Sequence, residues 1–294
     1  MRTQMLLVTI WAGLLIPVVA GCSRRSSASP VADAKAAQEL RDVLNARNKE
    51  SDDGDAAVAT SEASGWADLK VTFKLVGSAP TLGKVPNITA ECSTHAIVDE
   101  TVVVGPDGAL ENVVLYARTP KLPVNPDYEA TAGDEVVLDN KNCRFAPHVA
   151  VLRTSQTLMV KNTDAFGHNT KIDPQANAPS NAILAAGGTS PQKYSKEEPL
   201  PVKVGCNIHP WMGAWLVIRS DPYAGASDKK GEILLKKVPA GKELEFQLWQ
   251  EKAGFLKNAE IKGVKVDGKG RFKLKLEDGK PLELTINVPA DSLK

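Results

Sequence analysis

Two stretches of the chain hold the side chains best suited to do chemistry. One is Cys206-Asn207-Ile208-His209-Pro210-Trp211-Met212, and the other is Gly167-His168-Asn169, whose imidazole lies 38 residues before that cysteine. Together they offer one thiolate, two imidazoles and one thioether. A trigonal His₂Cys group with a long, weak axial Met is the donor set of a mononuclear electron-transfer copper site. A lone Cys-x-x-His would carry little information. The thioether three residues further on, with the separate Gly-His-Asn, makes the set specific.

The chemistry needs this mixture of donors. Cu(I) favours soft sulfur and Cu(II) favours nitrogen, so a site holding both in a compromise geometry changes little when an electron moves. A thioether is a poor zinc ligand, which favours copper over zinc. Taken singly, each residue has a plainer reading. His168 and His209 are then loop histidines, Cys206 is a core residue or half of a disulfide, and Met212 is core filler. Jointly, the expected ligands are His168, Cys206, His209 and Met212. Pro210 stiffens the loop and supplies no backbone N–H.

These residues must be positioned by strands. Leu69-Lys70-Val71-Thr72-Phe73-Lys74-Leu75 is apolar at every second position, the period of a half-buried strand. Ile97–Val104, the turn Gly105-Pro106-Asp107-Gly108 and Val113–Ala117 read as strand, turn, strand. Further strands are predicted at 135–139, 148–152, 157–161, 200–204 and 215–219. After residue 221, strand signals recur at 231–235, 244–249, 272–276 and 282–288. Short strands punctuated by Gly and Pro predict an all-β, Greek-key sandwich. The expected division is a sandwich with an N-terminal β extension over 65–220, then a smaller β-sandwich over 221–294.

The segment from Phe145 to Ile218 resembles the cupredoxin family, through Phe145-Ala146-Pro147, Val160-Lys161-Asn162-Thr163-Asp164, Gly167-His168-Asn169 and the Cys-x-x-His-Pro-x-Met loop. The loop is the short amicyanin kind. The resemblance implies a type 1 (blue) copper ion, three strong ligands from His168, Cys206 and His209, and a weak axial Met212. It also implies that Asn169 is an outer partner bonding the Cys206 loop. An apolar patch around His209, with Trp211, would be the electron exit, and Trp215 would point into the core. The region after 221 resembles the carboxypeptidase regulatory-like (transthyretin-like) β-domain, through Asp228-Lys229-Lys230-Gly231 and Val238-Pro239-Ala240-Gly241. Such domains are generally non-catalytic.

The first 21 residues read as an export leader, with Arg2 before an apolar run too short and too interrupted by Pro17 to span a membrane. Its end, Val19-Ala20-Gly21-Cys22-Ser23, resembles a bacterial lipoprotein box. That makes Cys22 the expected lipidation site and the cell envelope, facing the periplasm, the expected location. Residues 22–64 read as a tether, helix-prone over 32–49 and otherwise poor in large apolar residues. In an oxidising compartment disulfides persist. With Cys206 committed to metal, Cys92 and Cys143 are left to pair, a contribution of about 4 kcal/mol on chain-entropy grounds. Cys92-Ser93-Thr94-His95 lacks the second cysteine of a haem-attachment motif. His148 reads as a structural histidine, or one near the Cys143 bridge, ahead of a second metal site, and His95 as a loop histidine near Cys92.

Behind the leader, acidic and basic side chains balance, so nucleic acid is an unexpected partner. The expected partners are redox proteins of the envelope and, through the lipid, a membrane. A small-molecule substrate and an enzymatic role are not expected. Multicopper enzymes need several more imidazoles than the four histidines present. The competing readings are a copper-trafficking lipoprotein and a structural module without metal.

Overall fold

The computed structural model describes residues 63–294. The leader, Cys22 and the tether with its helix-prone stretch lie outside the described residues. From 63 onward the chain belongs to one compact unit, Ala59–Lys294. The architecture is all-β, with helix confined among the described residues to short 3₁₀ turns. No helix there is long and apolar enough to cross a membrane.

Four sheets form two sandwiches. In one, Leu138, Leu152, Leu158, Val160, Val204 and Leu216 are fully buried. Its first sheet runs in the order Val149–Arg153, Gly213–Arg219, Val202–Gly205, His168–Ile172, Ser180–Leu184. Its second runs Arg144–Ala146, Glu135–Lys141, Thr157–Asn162, Thr189–Gln192.

The other sandwich is built from both ends of the described chain. The predicted alternation forms the strand Trp66–Val76, and Leu69, Val71 and Phe73 are buried on one face. Its neighbours are Glu232–Pro239, antiparallel, and Leu282–Pro289, parallel. The facing sheet sets Val114–Ala117 between Ala224–Ala226 and Glu243–Gln250, with Arg271–Lys275 beyond. Phe246 and Phe272 stack there at 5.7 Å.

The expected boundary at 220 therefore moves. Residues 66–117 do not extend the first sandwich; they supply central strands to the second. Alternation fixes which face of a strand is buried but not which partner it pairs with. The first sandwich, 135–219, is an insertion. The strands flanking it pair with each other, Ala224 opposite Tyr116, so the chain leaves and re-enters the outer sandwich at one place. Ile97–Val104 is not a strand either; a bridge at Val104 is all that remains. The Asp99 carboxylate accepts the Thr101 N–H (2.9 Å), a local turn that breaks the extended run.

The sandwiches dock through Val114, Tyr116 and Trp249 of the outer one and Val149 and Val217 of the insertion. Trp215 packs edge-on against Trp249 at 4.7 Å, so it belongs to this seam rather than to its own sandwich's core. A strand-free strap, residues 77–104, leaves the outer sandwich, crosses to the end of the insertion and returns. The expected Cys92–Cys143 disulfide pins it there.

Candidate metal centre

The strands Val202–Gly205 and Gly213–Arg219 pair antiparallel, with Gly205 opposite Gly213, so residues 206–212 are the crest between them. The loop closes on itself: Met212 N–H donates to His209 O (2.9 Å) and Cys206 N–H to Met212 O (3.3 Å). His168 opens the strand on the other side of Val202–Gly205. Sheet register alone thus brings the distant imidazole to the same end.

His168, Cys206 and His209 gather there as a buried group, one ligand atom of each lying within 4.8 Å of the others. The two Nδ1 atoms are 2.9 Å apart, and His209 Nδ1 is 3.8 Å from Cys206 Sγ. Met212, in the same loop, is 2 % exposed. Asn169 reaches this loop by hydrogen bonds. Its Oδ1 accepts Asn207 N–H (2.8 Å), Ile208 N–H (3.3 Å) and the Cys206 thiol (3.4 Å).

Two carboxylates that sequence reasoning did not single out complete the surroundings. His168 Nε2 lies 2.9 Å from Asp164 Oδ2, and His209 Nε2 lies 3.3 Å from Glu91 Oε1. A carboxylate accepts only, so each ring carries its proton on Nε2 and turns a lone pair on Nδ1 inward. Two such lone pairs and a sulfur then face one another, an arrangement that asks for a cation between them. With bonds of about 2.0 Å to nitrogen and 2.3 Å to sulfur, the 2.9 and 3.8 Å separations correspond to angles of about 90° and 125° at one ion. The donor set fits a mononuclear metal.

Asp164 is itself firmly held. It accepts the backbone N–H groups of Asn142 (2.6 Å) and Cys143 (2.9 Å), both residues at positive φ, which aims consecutive amides at one anion. Burial holds the His168 imidazole below its ordinary pKa, against the opposing hydrogen bond to Asp164, so the ring stays in its ligating form. Glu91 is also shifted down, by its own backbone amide first and by His209 second. The signals available in the sequence were Asp164, at the end of the Val160-to-Asp164 run and four residues before His168, and Glu91 beside Cys92; nothing in either place assigned the carboxylate to a histidine.

The expected apolar exit at His209 is absent from this structure. His209 is fully buried, with Phe166 and Trp211 against its ring and Glu91 of the strap at its Nε2. The exposed residues of the ligand loop are Asn207, Ile208 and Pro210 instead. Trp211 packs on the His209 ring at 5.2 Å, and its indole N–H donates to Cys143 O (3.2 Å). His148 lies apart from this group: its Nε2 lies 2.6 Å from Glu251 Oε2 of the outer sandwich, and its Nδ1 lies 4.0 Å from Glu100 of the strap. His95 sits in the strap, its N–H bonded to Cys92 O (3.0 Å).

These contacts define a buried, sulfur-containing three-donor centre at one end of an all-β sandwich. Among solved structures, a Cu(I) methionine-to-alanine mutant of amicyanin is similar at 12 % identity and TM-score 0.26, over 29 % of this chain and 82 % of that one. A reduced tryptophan-to-tyrosine mutant of amicyanin is similar at 15 % identity and TM-score 0.26, with the same coverage. A purple cupredoxin from Nitrosopumilus maritimus is similar at 18 % identity and TM-score 0.25, over 29 % of this chain and 98 % of that one. No family model matches the chain, and no curated protein sequence matches it.

Proposed function

We propose that the chain is a one-electron carrier built on a single type 1 copper ion, held in the cell envelope by a lipid on Cys22. The observation that supports this most directly is the convergence of His168 Nδ1, His209 Nδ1 and Cys206 Sγ in a buried cluster. Bound there, copper would alternate between Cu(I) and Cu(II), supplying one electron at a time. His168, Cys206 and His209 would be the strong ligands and Met212 the weak axial one. Asp164, Glu91 and Asn169 fix the orientation of those ligands and keep the amide dipoles of the loop in place. The four donors leave no position for a small substrate, so the partners are redox proteins, and they would meet the loop at Asn207, Ile208 and Pro210.

The test is to add Cu(II) to the protein and record visible and EPR spectra. An intense sulfur-to-copper band that vanishes in Cys206→Ala, with the fold retained, is the expected result. A band that survives in Cys206→Ala would rule the thiolate out. Exchangeable Cu(I) binding without colour would point to copper trafficking, and no binding to a structural module.

A further inference from the structure

Cys143 is a hub. Its N–H holds Asp164, its carbonyl accepts the Trp211 indole of the ligand loop, and its sulfur is bonded to Cys92. Cys92 is the neighbour of Glu91, whose carboxylate meets His209. Asp164, at the other end of this chain of contacts, meets His168. Both inward-facing imidazoles are thus backed by carboxylates that converge on one disulfide. Within Ala90–Cys92 only this bridge ties the strap covalently to the insertion.

We propose that Glu91 is a positioning residue for the metal centre and that the Cys92–Cys143 disulfide delivers it, so that strap, bridge and both carboxylates hold the two imidazoles as one device. The inference rests on the copper reading and deepens it. Its physical basis is that the second ring nitrogen of a ligating histidine sets the tautomer and ring orientation of the first. Removing such an outer partner lowers metal affinity about 10–100-fold. Glu91 reaches His209 from 118 residues away, and no regular strand of the strap carries it there. Without the covalent pin, the strap has to lose conformational freedom each time it closes. The same closure sets the Glu91 carboxylate against His209 Nε2, so this side chain screens that nitrogen from solvent.

The experiment uses the full chain and four variants: Glu91→Ala, Glu91→Gln, the double Cys92→Ser/Cys143→Ser, and the triple that adds Glu91→Ala to it. Copper affinity is measured by competition with a chelator, and circular dichroism checks the fold. Glu91→Ala should lower affinity about 10–100-fold, and Glu91→Gln, which keeps an acceptor oxygen, should recover part of it. The triple should be no weaker than the double, because residues acting through one element are not additive. Unchanged affinity in Glu91→Ala, or additive losses in the triple, would overturn the proposal. A second measurement needs no metal: acylation of His209 in the apo-protein by diethyl pyrocarbonate, read by peptide mass. It should be slow in the parent and fast in Glu91→Ala and the double variant. If the parent binds no copper, the copper reading fails. Equal acylation of parent and Glu91→Ala sinks the strap device independently. Because Glu91→Ala leaves the bridge intact, this comparison stands even if the double variant misfolds.

Discussion

Asp164→Ala is the substitution whose effect the structure fixes most fully. Asp164 is 8 % exposed and its carboxylate has three partners: the N–H groups of Asn142 and Cys143, and His168 Nε2. Removing it orphans the Cys143 amide, which is buried, at about 1–3 kcal/mol, and deprives the imidazole of a charge-assisted bond at about 1.5–3 kcal/mol. The Asn142 amide is only partly buried and can turn to water. The apo-protein should therefore lose roughly 2.5–6 kcal/mol, a large share of the stability of an ordinary domain. Asp164→Asn should lose far less, about 1 kcal/mol. Its carbonyl can take the place of Oδ2 and keep Cys143 and His168, leaving the amide against the Asn142 N–H alone. Urea unfolding of the apo-proteins measures the first quantity. Chelator competition measures the second: copper affinity should fall about 10–100-fold in the alanine variant and much less in the asparagine one. If Asp164→Ala unfolds like the parent and binds copper as tightly, the tautomer reasoning is wrong.

Trp249→Ala, which empties the seam between the sandwiches, should cost about 3–5 kcal/mol and split a single calorimetric transition into two. Gly231→Ala should destabilise by more than 1 kcal/mol in ~25 °C urea titrations, since a Cβ there, at φ +73°, would stand 2.5 Å from Phe73 O. Asn169→Ala removes the acceptor of two loop amides and should shift the sulfur-to-copper band and weaken copper binding, read by the same spectra. Burial raises the Asp221 carboxyl above its ordinary value of 3.8. A raised carboxylate favours the folded state at low pH and loses that contribution as pH rises through its folded value. Asp221→Asn, able to keep the Tyr223 N–H bond, should remove this pH dependence and leave the protein at least as stable at neutral pH in thermal melts.

The convergence of His168, Cys206 and His209 was legible because their chemistry is compressed into seven residues and a tripeptide, and the strands beside them because side chains alternate with period two. Leu69, Val71 and Phe73 told which face is buried. They could not tell which sandwich claims it, because the partners Ile233 and Leu284 lie more than 160 residues on and present the same alternation. Glu91 was illegible for a related reason. Nothing near it in sequence marks a metal centre; it meets His209 only because a disulfide carries the strap across. Asp164 lay in view but has the look of a turn aspartate, and its role appears only with the positive φ of Asn142 and Cys143. The screening of His209 Nε2 by Glu91 has the same origin, a segment of the outer sandwich that no local pattern assigns to the metal-centre end.

The placement of Trp66–Val76 between Glu232–Pro239 and Leu282–Pro289 has a bearing on how the molecule comes into being. On a ribosome, this strand emerges early yet waits until Pro239 for one neighbour and until Pro289 for the other. The inserted sandwich, complete by Arg219, has all its own partners well before then. Assembly should consequently run from the inside outward, with long-range pairings closing last and slowly. Through that interval an apolar strand edge stands open, the period in which a nascent chain most needs protection from its neighbours.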